Sequence, residues 1–184
     1  TVSASAFFER DNIQIEQPSG VRKSMGIFLA ARAPHNYPVL AERLSNLSVE
    51  KKEDAVVHVL QIIEPRLLAL RVQHRGGVPL IYGDIGAERL MPLPLMGDGI
   101  SRLLGIALSI TDAQNGIVLV DEIENGLHHS VMIDVWQAIA NLAALYNVQI
   151  FASTHSIECI RSAHDAFKSR EPYDFSLQRL EQIK

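Results

Sequence analysis

The chain has 184 residues, of which 47% are hydrophobic and 21% charged, and its formal net charge is −4. This composition supports one buried core, and the single cysteine, Cys159, excludes an internal disulfide framework. No apolar run reaches about eighteen residues and no basic-then-apolar leader is present, so we expect neither a membrane partner nor secretion, but a cytoplasmic protein.

The first half of the chain is predicted to combine strands, helices and a hairpin. Strands are expected over Phe7–Glu16 and Met25–Ala31, with loops marked by prolines that include Pro38. A short helix over Leu40–Leu47 is followed by a longer helix from Ser48 that Pro65 ends or kinks. The glycines of Arg75-Gly76-Gly77 then predict a hairpin between residues 68–74 and 78–82.

The segment from Leu95 to Gly105 is predicted to be a glycine turn that leads into a helix ending near Ile110. Amides at a helix N-terminus favour an anion. Gly97 and Gly99 would let the backbone approach a phosphate, Ser101 could donate a hydroxyl hydrogen bond, and Arg102 would add positive charge. By itself this motif is more typical of an ordinary turn before a helix.

An apolar run from Ile117 to Val120 stops at two adjacent carboxylates, Asp121 and Glu122. The run predicts a buried strand whose end lies beside a phosphate-binding cleft. Neighbouring strand residues point in opposite directions, so the two acids can do different work. Asp121 would hold Mg²⁺ through water, and Glu122 would orient or deprotonate the water that attacks a terminal phosphate. A solvated acidic turn is the simpler alternative.

The segment Val148–Ser156 repeats this design, with an apolar strand that ends in polar residues including His155. His155 is a candidate sensor of the terminal phosphate. Between the two strands, Leu127–Tyr146 has the apolar spacing of a helix that packs on a sheet. Strand, helix and strand predict a parallel crossover with both polar ends on the ligand-binding edge of an α/β sheet. The tail after Phe167 is expected to form a turn and a last strand.

Taken in order, these motifs resemble the C-terminal half of an ABC-type ATPase domain, and most closely bacterial AAA-family ATP-binding proteins related to chromosome-maintenance, recombination and overcoming-lysogenization-defect ATPases. Four segments carry the resemblance: a signature loop, a Walker B strand, a D-loop and a switch histidine. They match residues 96–102, 118–122, 124–128 and 154–156.

The resemblance implies an ABC-ATPase-like, P-loop NTPase lobe of the α/β class, with mostly parallel strands, flanking helices and an N-terminal hairpin and helical subdomain. Residues 1–92 would form the N-terminal part and residues 93–184 the core of one incomplete domain. ATP and Mg²⁺ would be the cofactors, and ATP would be sandwiched in a head-to-tail homodimer. Catalysis would fall to Glu122 and His155, metal binding to Asp121, and nucleotide contacts to Gly97, Asp98, Gly99, Ser101, Arg102, Asn125, Gly126 and His128.

Two departures from the family pattern qualify this reading. His128 stands where transporters carry the D-loop aspartate, which resembles the chromosome-maintenance branch and argues against a transporter. No Gly-x-x-x-x-Gly-Lys-Ser/Thr loop occurs in the sequence, and the nearest stretch, residues 17–24, has Gln17 and Arg22 where both glycines are required. Either the loop lies in a segment outside this chain, which we favour because the chain begins with threonine and keeps its other motifs, or the site has degenerated.

Three further alternatives stay open. The family resemblance alone implies that the ATPase acts in DNA repair or phage defence and could have DNA as a ligand. The chain could instead be an ATP-dependent scaffold or sensor for an effector nuclease, with little turnover. A transition-metal site could form from His128 and His129 with the neighbouring acids, although adjacent helical histidines point about 100° apart.

Overall fold

The computed structural model describes residues 5–9, 12–16, 25–31 and 35–179. At the N-terminus, β1 (Ser5–Glu9) and β2 (Asn12–Glu16) form an antiparallel pair. The single strand predicted over Phe7–Glu16 is therefore wrong. Residues 17–24, the stretch nearest to a phosphate-binding loop in sequence, lie outside the described residues.

A three-stranded parallel sheet forms the centre of the molecule. It consists of β3 (Gly26–Leu29), β7 (Ile117–Val120) and β8 (Gln149–Ala152), in the order β3-β7-β8. The predicted parallel arrangement of the last two strands is confirmed. The helix between them, α4 (Met132–Tyr146), begins five residues later than predicted, after a short 3₁₀ turn at His129–Val131. β3 lies in residues 1–92, whereas β7 and β8 lie in residues 93–184. Both predicted parts of the chain therefore contribute strands to this sheet.

Two helices, α1 (Tyr37–Val49) and α2 (Glu53–Leu60), follow β3. Pro38 lies in the first turn of α1 rather than in a loop, and the side chain of Asn36 caps this helix. A proline fits the first helical turn because the amide it lacks has no partner there. The second predicted helix is present as α2, but its predicted start is wrong, since Ser48 belongs to the last turn of α1 and α2 starts at Glu53.

The predicted hairpin is confirmed as β4 (Ala69–Arg75) and β5 (Val78–Asp84), joined at Gly76 and Gly77. Both glycines have positive φ angles, 57° and 80°, which the tight turn requires. A short strand, β6 (Met91–Pro92), pairs with β5, and a 3₁₀ turn at Leu93–Met96 leads into the next helix.

The central helix, α3 (Asp98–Asp112), is buried at every position from Ile100 to Thr111. It contacts α1, α2 and α4, as well as β3 and β7. Most of these buried residues are apolar, as expected for a helix in the middle of a core. This packing fixes the start of α3, with its glycine turn, close to the end of β7.

The last helix, α5 (Ile157–Phe167), follows β8 and packs on α4. The strand predicted for the tail is absent from residues 168–179, and residues 180–184 lie outside the described part. The tail instead returns to α5, where the Phe175 ring stacks on Phe167 with centroids 5.3 Å apart. None of the helices within the described ranges has the length and hydrophobicity to cross a membrane.

Candidate functional site

Asp121 and Glu122 begin the loop after β7, here called the β7 loop (residues 121–128). The Asp121 amide donates to the Leu29 carbonyl, 2.9 Å away, which places the acid pair beside the end of β3 as well. The loop after β8, here called the β8 loop (residues 153–156), lies on the other side, because β8 is parallel to β7 and in register with it. Both polar loops therefore meet at one edge of the sheet, as the crossover predicts.

Ser153 links the two loops through hydrogen bonds with both acidic residues. Its hydroxyl donates to Asp121 Oδ1 at 2.7 Å and accepts from the Glu122 amide at 3.0 Å. The hydrogen bond from Ser153 lowers the pKa of Asp121 and outweighs the opposing effect of burial, and the Ala31 main chain and the charges of Arg102 and His155 lower the pKa further. Asp121 is thus held as a carboxylate, the form that binds a hard cation.

Glu122 adopts a left-handed backbone conformation, with φ of +47°. Such a conformation is uncommon for a residue with a side chain. Because β7 ends at Val120, the direction of the Glu122 side chain is set by this turn. The sequence analysis instead derived separate roles for Asp121 and Glu122 from strand alternation. Within the described part of the chain, the Glu122 carboxylate is half-buried and has no hydrogen bond or ion pair.

His155 is exposed, and its main chain is held by Glu124 of the β7 loop. Glu124 Oε1 accepts hydrogen bonds from Thr154 Oγ1 at 2.7 Å and from the His155 amide at 3.2 Å. The imidazole remains at the surface, on the same edge as Asp121. The structure therefore brings the predicted sensor and the predicted metal ligand together.

The β7 loop also packs against the start of α3 through two glycines. A Cβ atom at Gly99 would lie 2.5 Å from the Gly126 carbonyl oxygen, closer than any real contact allows. Gly126 has φ of +76°, so it too occupies a position that favours glycine. Gly97, with φ of +105°, precedes α3 and leaves the helix without a side-chain N-cap. Gly97 and Asp98 are exposed and Gly99 is half-buried.

Two predicted phosphate contacts from α3 are placed elsewhere. The Ser101 hydroxyl is fully buried, 3.4 Å from both the Gly97 carbonyl oxygen and Tyr37 Oη. Arg102 is 8% exposed and donates to the Ala30 carbonyl at 3.0 Å and the Asp121 carbonyl at 2.6 Å. Both side chains point inward because every residue of α3 from Ile100 to Thr111 is buried. Arg102 connects α3 with the ends of β3 and β7, and its burial lowers its pKa.

The other two D-loop residues predicted to contact the nucleotide, Asn125 and His128, form hydrogen bonds within this chain. Asn125 Nδ2 donates to the Ala31 carbonyl at 2.8 Å. His128 Nδ1 accepts from the Ser130 amide at 3.3 Å and thereby caps the 3₁₀ turn. Both side chains are exposed, so they remain at the surface of the β7 loop.

The donor set at this edge suits magnesium better than zinc or iron. Asp121 and Ser153 offer oxygen atoms, which hard cations prefer. The rings of His128 and His129 lie against each other, with centroids 4.1 Å apart. Across the described ranges, no group of three or more His, Cys, Asp or Glu side chains is arranged to hold a metal ion. The transition-metal alternative therefore has no ligand set in this part of the chain.

The fold is an α/β domain with a parallel sheet and flanking helices, and the polar loops after two neighbouring strands meet at one edge of that sheet. The sequence model of the family described as "AAA domain, putative AbiEii toxin, Type IV TA system" matches residues 8–161. The chain belongs to this family. The expected relationship to AAA-family ATPases is confirmed.

The individual proteins that the chain resembles share low sequence identity with it or match only part of its length. The chain is 25% identical over 143 residues to an "ATP/GTP phosphatase" of Helicobacter pylori, a match that covers 76% of this chain and 37% of that protein. It is 36% identical over 66 residues to an uncharacterized protein of Methanocaldococcus jannaschii, covering 35% and 57% of the two chains. The crystal structure of the "SmcHead bound to the C-winged helix domain of ScpA" is similar with a TM-score of 0.48 and 16% identity, covering 72% and 45%.

The sequence did not single out Ser153 as a site residue, and it placed Glu124 in the D-loop without a role of its own. A signal for Ser153 existed, because the first residues after two parallel strands in register lie opposite each other, and Asp121 is the counterpart of Ser153. Glu124 gave no such signal. Its contacts with Thr154 and His155 depend on how the β7 loop turns, which strand periodicity does not describe.

Proposed function

We propose that this chain is one lobe of a magnesium-dependent ATPase head that closes on ATP as a head-to-tail homodimer. The observation that carries the proposal is the hydrogen-bonded group of Asp121, Ser153 and Glu122 at the shared edge of β7 and β8. An ionised carboxylate, a second carboxylate in a turn and an exposed histidine together supply the roles that nucleotide hydrolysis needs.

Each of these residues has a separate role in the proposal. Asp121, with its lowered pKa, holds the cation as a carboxylate in the neutral pH range. Glu122 orients the attacking water and accepts its proton, and His155 donates to the terminal phosphate. Mg²⁺, when bound, neutralises charge on the phosphate oxygens. The positions of Asp121 and Glu122 both depend on Ser153.

The start of α3 would meet the ATP held by a second copy. The amides at Gly97, Asp98 and Gly99 are the groups available for this contact, because the Ser101 hydroxyl and Arg102 face the interior. ATP bridges two copies through its terminal phosphate and ADP does not, so the two nucleotides favour different assembly states. Asn125 and His128 would lie at the same interface.

The phosphate-binding loop would come from a segment outside these 184 residues. One face of the parallel sheet is packed on helices, whereas a row of apolar side chains in register on the other face is exposed: Phe28 by 64%, Leu119 by 42% and Phe151 by 50%. Parallel sheets are normally covered on both faces. We propose that the missing segment packs on this row.

The test compares ATP binding and hydrolysis by the 184-residue chain with those of a longer protein that includes a phosphate-binding loop. In the longer protein, Glu122→Gln should slow turnover by about 10²- to 10⁴-fold and make ATP-dependent dimers persist in analytical ultracentrifugation. Glu88→Gln, at an exposed position away from this edge, is the matched control. Turnover by Glu122→Gln at the parent rate would show that Glu122 is not the base.

A pathway in DNA repair or phage defence, with an effector nuclease or DNA as partner, belongs to this proposal and rests on family resemblance. The scaffold alternative makes a different prediction in the same experiment. ATP-dependent assembly with no turnover in the longer protein would support the scaffold, and absence of nucleotide binding in both proteins would show a degenerate site.

A further inference from the structure

Glu124 joins the two loops of the site by a route that does not involve Ser153. A single oxygen, Oε1, accepts from the Thr154 hydroxyl at 2.7 Å and from the His155 amide at 3.2 Å. Hydrogen bonds to a charged acceptor are the stronger kind. The main chain at His155 is therefore tied to the β7 loop by a side chain placed two residues after Glu122.

The same contact is continuous with the start of α5. Thr154 Oγ1, which donates to Glu124, accepts from the Ser156 amide at 3.0 Å. The Ser156 hydroxyl in turn accepts from the Cys159 amide at 3.1 Å and caps α5. His155 thus lies between two anchored residues, so its backbone is fixed while its imidazole stays exposed.

The second carboxylate oxygen of Glu124 is buried. The Glu124 carboxylate lies near the Cys159 thiol, whose pKa is raised mainly by burial and to a lesser degree by the charge of Glu124 and by a hydrogen bond with its side chain. One end of this carboxylate is therefore held in the interior while its other oxygen binds the β8 loop.

We propose that Glu124 is a positioning residue: it fixes the position of the His155 main chain and couples that position to the conformation of the β7 loop. The loop that holds Glu124 also packs on the start of α3 through Gly126, so a shift of α3 or of the β7 loop would be passed to His155. This inference deepens the proposed function, because it takes His155 as the phosphate-contacting group.

The first test needs no nucleotide. In the 184-residue chain, hydrogen exchange of the His155 amide, followed by NMR, should become about tenfold faster in Glu124→Ala. Glu124→Gln keeps an acceptor oxygen and should largely restore protection. Glu158→Gln, which removes an exposed carboxylate on α5 that contacts Ser156 and not His155, should leave the rate unchanged. Unchanged exchange in Glu124→Ala would overturn the proposal.

A second variant guards against a fold defect in Glu124→Ala. Thr154→Val removes one of the two donors to Glu124 and should raise the His155 exchange rate, whereas Thr154→Ser keeps the hydroxyl and should not. If both Thr154 variants exchange like the parent, the link does not hold His155.

The third test uses turnover in the longer protein with its phosphate-binding loop. Glu124→Ala should lower kcat with little change in KM, and it should have no further effect when His155→Ala is already present, because coupled residues are not additive. Additive losses would show that Glu124 does not act through His155. A third outcome separates this inference from the proposed function. If exchange at His155 is faster in Glu124→Ala but the parent protein has no ATPase activity, the proposed function is wrong and the contact between Glu124 and His155 still holds.

Discussion

The two contacts that the β7 loop makes are built in different ways. Towards α3 it packs main chain on main chain, where a Cβ atom at Gly99 would clash with the Gly126 carbonyl oxygen. Towards the β8 loop it makes side-chain hydrogen bonds, from Ser153 to Asp121 and from Thr154 to Glu124. The first contact depends on the absence of side chains, and the second depends on their chemical identity.

This difference predicts how each contact responds to change. A backbone contact tolerates no added volume, because neither partner can rotate away. A side-chain hydrogen bond can be lost for about 1 kcal/mol and leave the loops in place. Mutations at the glycine contact should therefore act mainly on folding, and mutations at the hydrogen bonds mainly on protonation and turnover.

The largest effect is expected from Gly99→Ala. The new Cβ atom would clash with the Gly126 carbonyl, and we expect a loss of about 3 kcal/mol in the free energy of unfolding. Gly105→Ala is the matched control in the same helix, since a Cβ there meets no atom within 4 Å. It should be neutral or stabilise by about 0.5–1 kcal/mol. Urea unfolding followed by circular dichroism measures both, and equal stabilities would refute the tight contact.

Arg102→Met should have the next largest effect, because Arg102 is the one side chain described above that connects α3 directly with the acid pair. The substitution keeps the apolar stem but removes the donors to the Ala30 and Asp121 carbonyls. We expect a loss of about 1–2 kcal/mol in unfolding free energy. Arg102→Lys should recover only part of it, since one ammonium group does not reproduce the forked geometry. Full recovery by lysine would show that charge alone matters.

Ser153→Ala should change the protonation of Asp121 more than the fold. Folding lowers the pKa of Asp121 below its ordinary value of 3.8, mainly through the Ser153 hydrogen bond. The carboxylate therefore stabilises the fold fully above that ordinary value, and this contribution disappears as the pH falls through the folded-state pKa. In Ser153→Ala the pKa of Asp121 should rise towards 3.8, and the acid-side loss of stability should shrink.

An NMR titration of the Asp121 carboxyl carbon gives this pKa directly. Ser162→Ala, on α5 and away from the acid pair, is the control and should titrate like the parent. An Asp121 pKa that is the same in Ser153→Ala and the parent would remove the main cause assigned to the shift. At neutral pH, Ser153→Ala should unfold at a slightly lower urea concentration than Ser162→Ala.

The sequence predicted the parts of this edge that follow from periodicity. The apolar run before Asp121 and the repeat before His155 indicated two parallel strands, and both were found in register. It did not predict the directions of Ser101 and Arg102. Those depend on how deeply α3 is buried, which is decided by helices that pack around it from distant parts of the chain. Nor does periodicity describe the left-handed turn at Glu122, whose φ of +47° arises from local loop geometry.

Asn125→Ala should have the smallest effect, and it tests whether the β7 loop needs any further side-chain contact. Asn125 is exposed, and its amide donates to the Ala31 carbonyl at 2.8 Å. The turn itself is also held by main chain, through the bond from the Asn125 amide to the Glu122 carbonyl at 3.0 Å. We expect a loss of about 0.5 kcal/mol in unfolding free energy. Asn125→Asp should cost more than Asn125→Ala, because an acceptor would then face the Ala31 carbonyl oxygen. If Asn125→Asp and Asn125→Ala destabilise equally, the hydrogen bond to Ala31 does not hold the loop in solution. The contact between Gly99 and Gly126 would then be the main contact that fixes the β7 loop against α3.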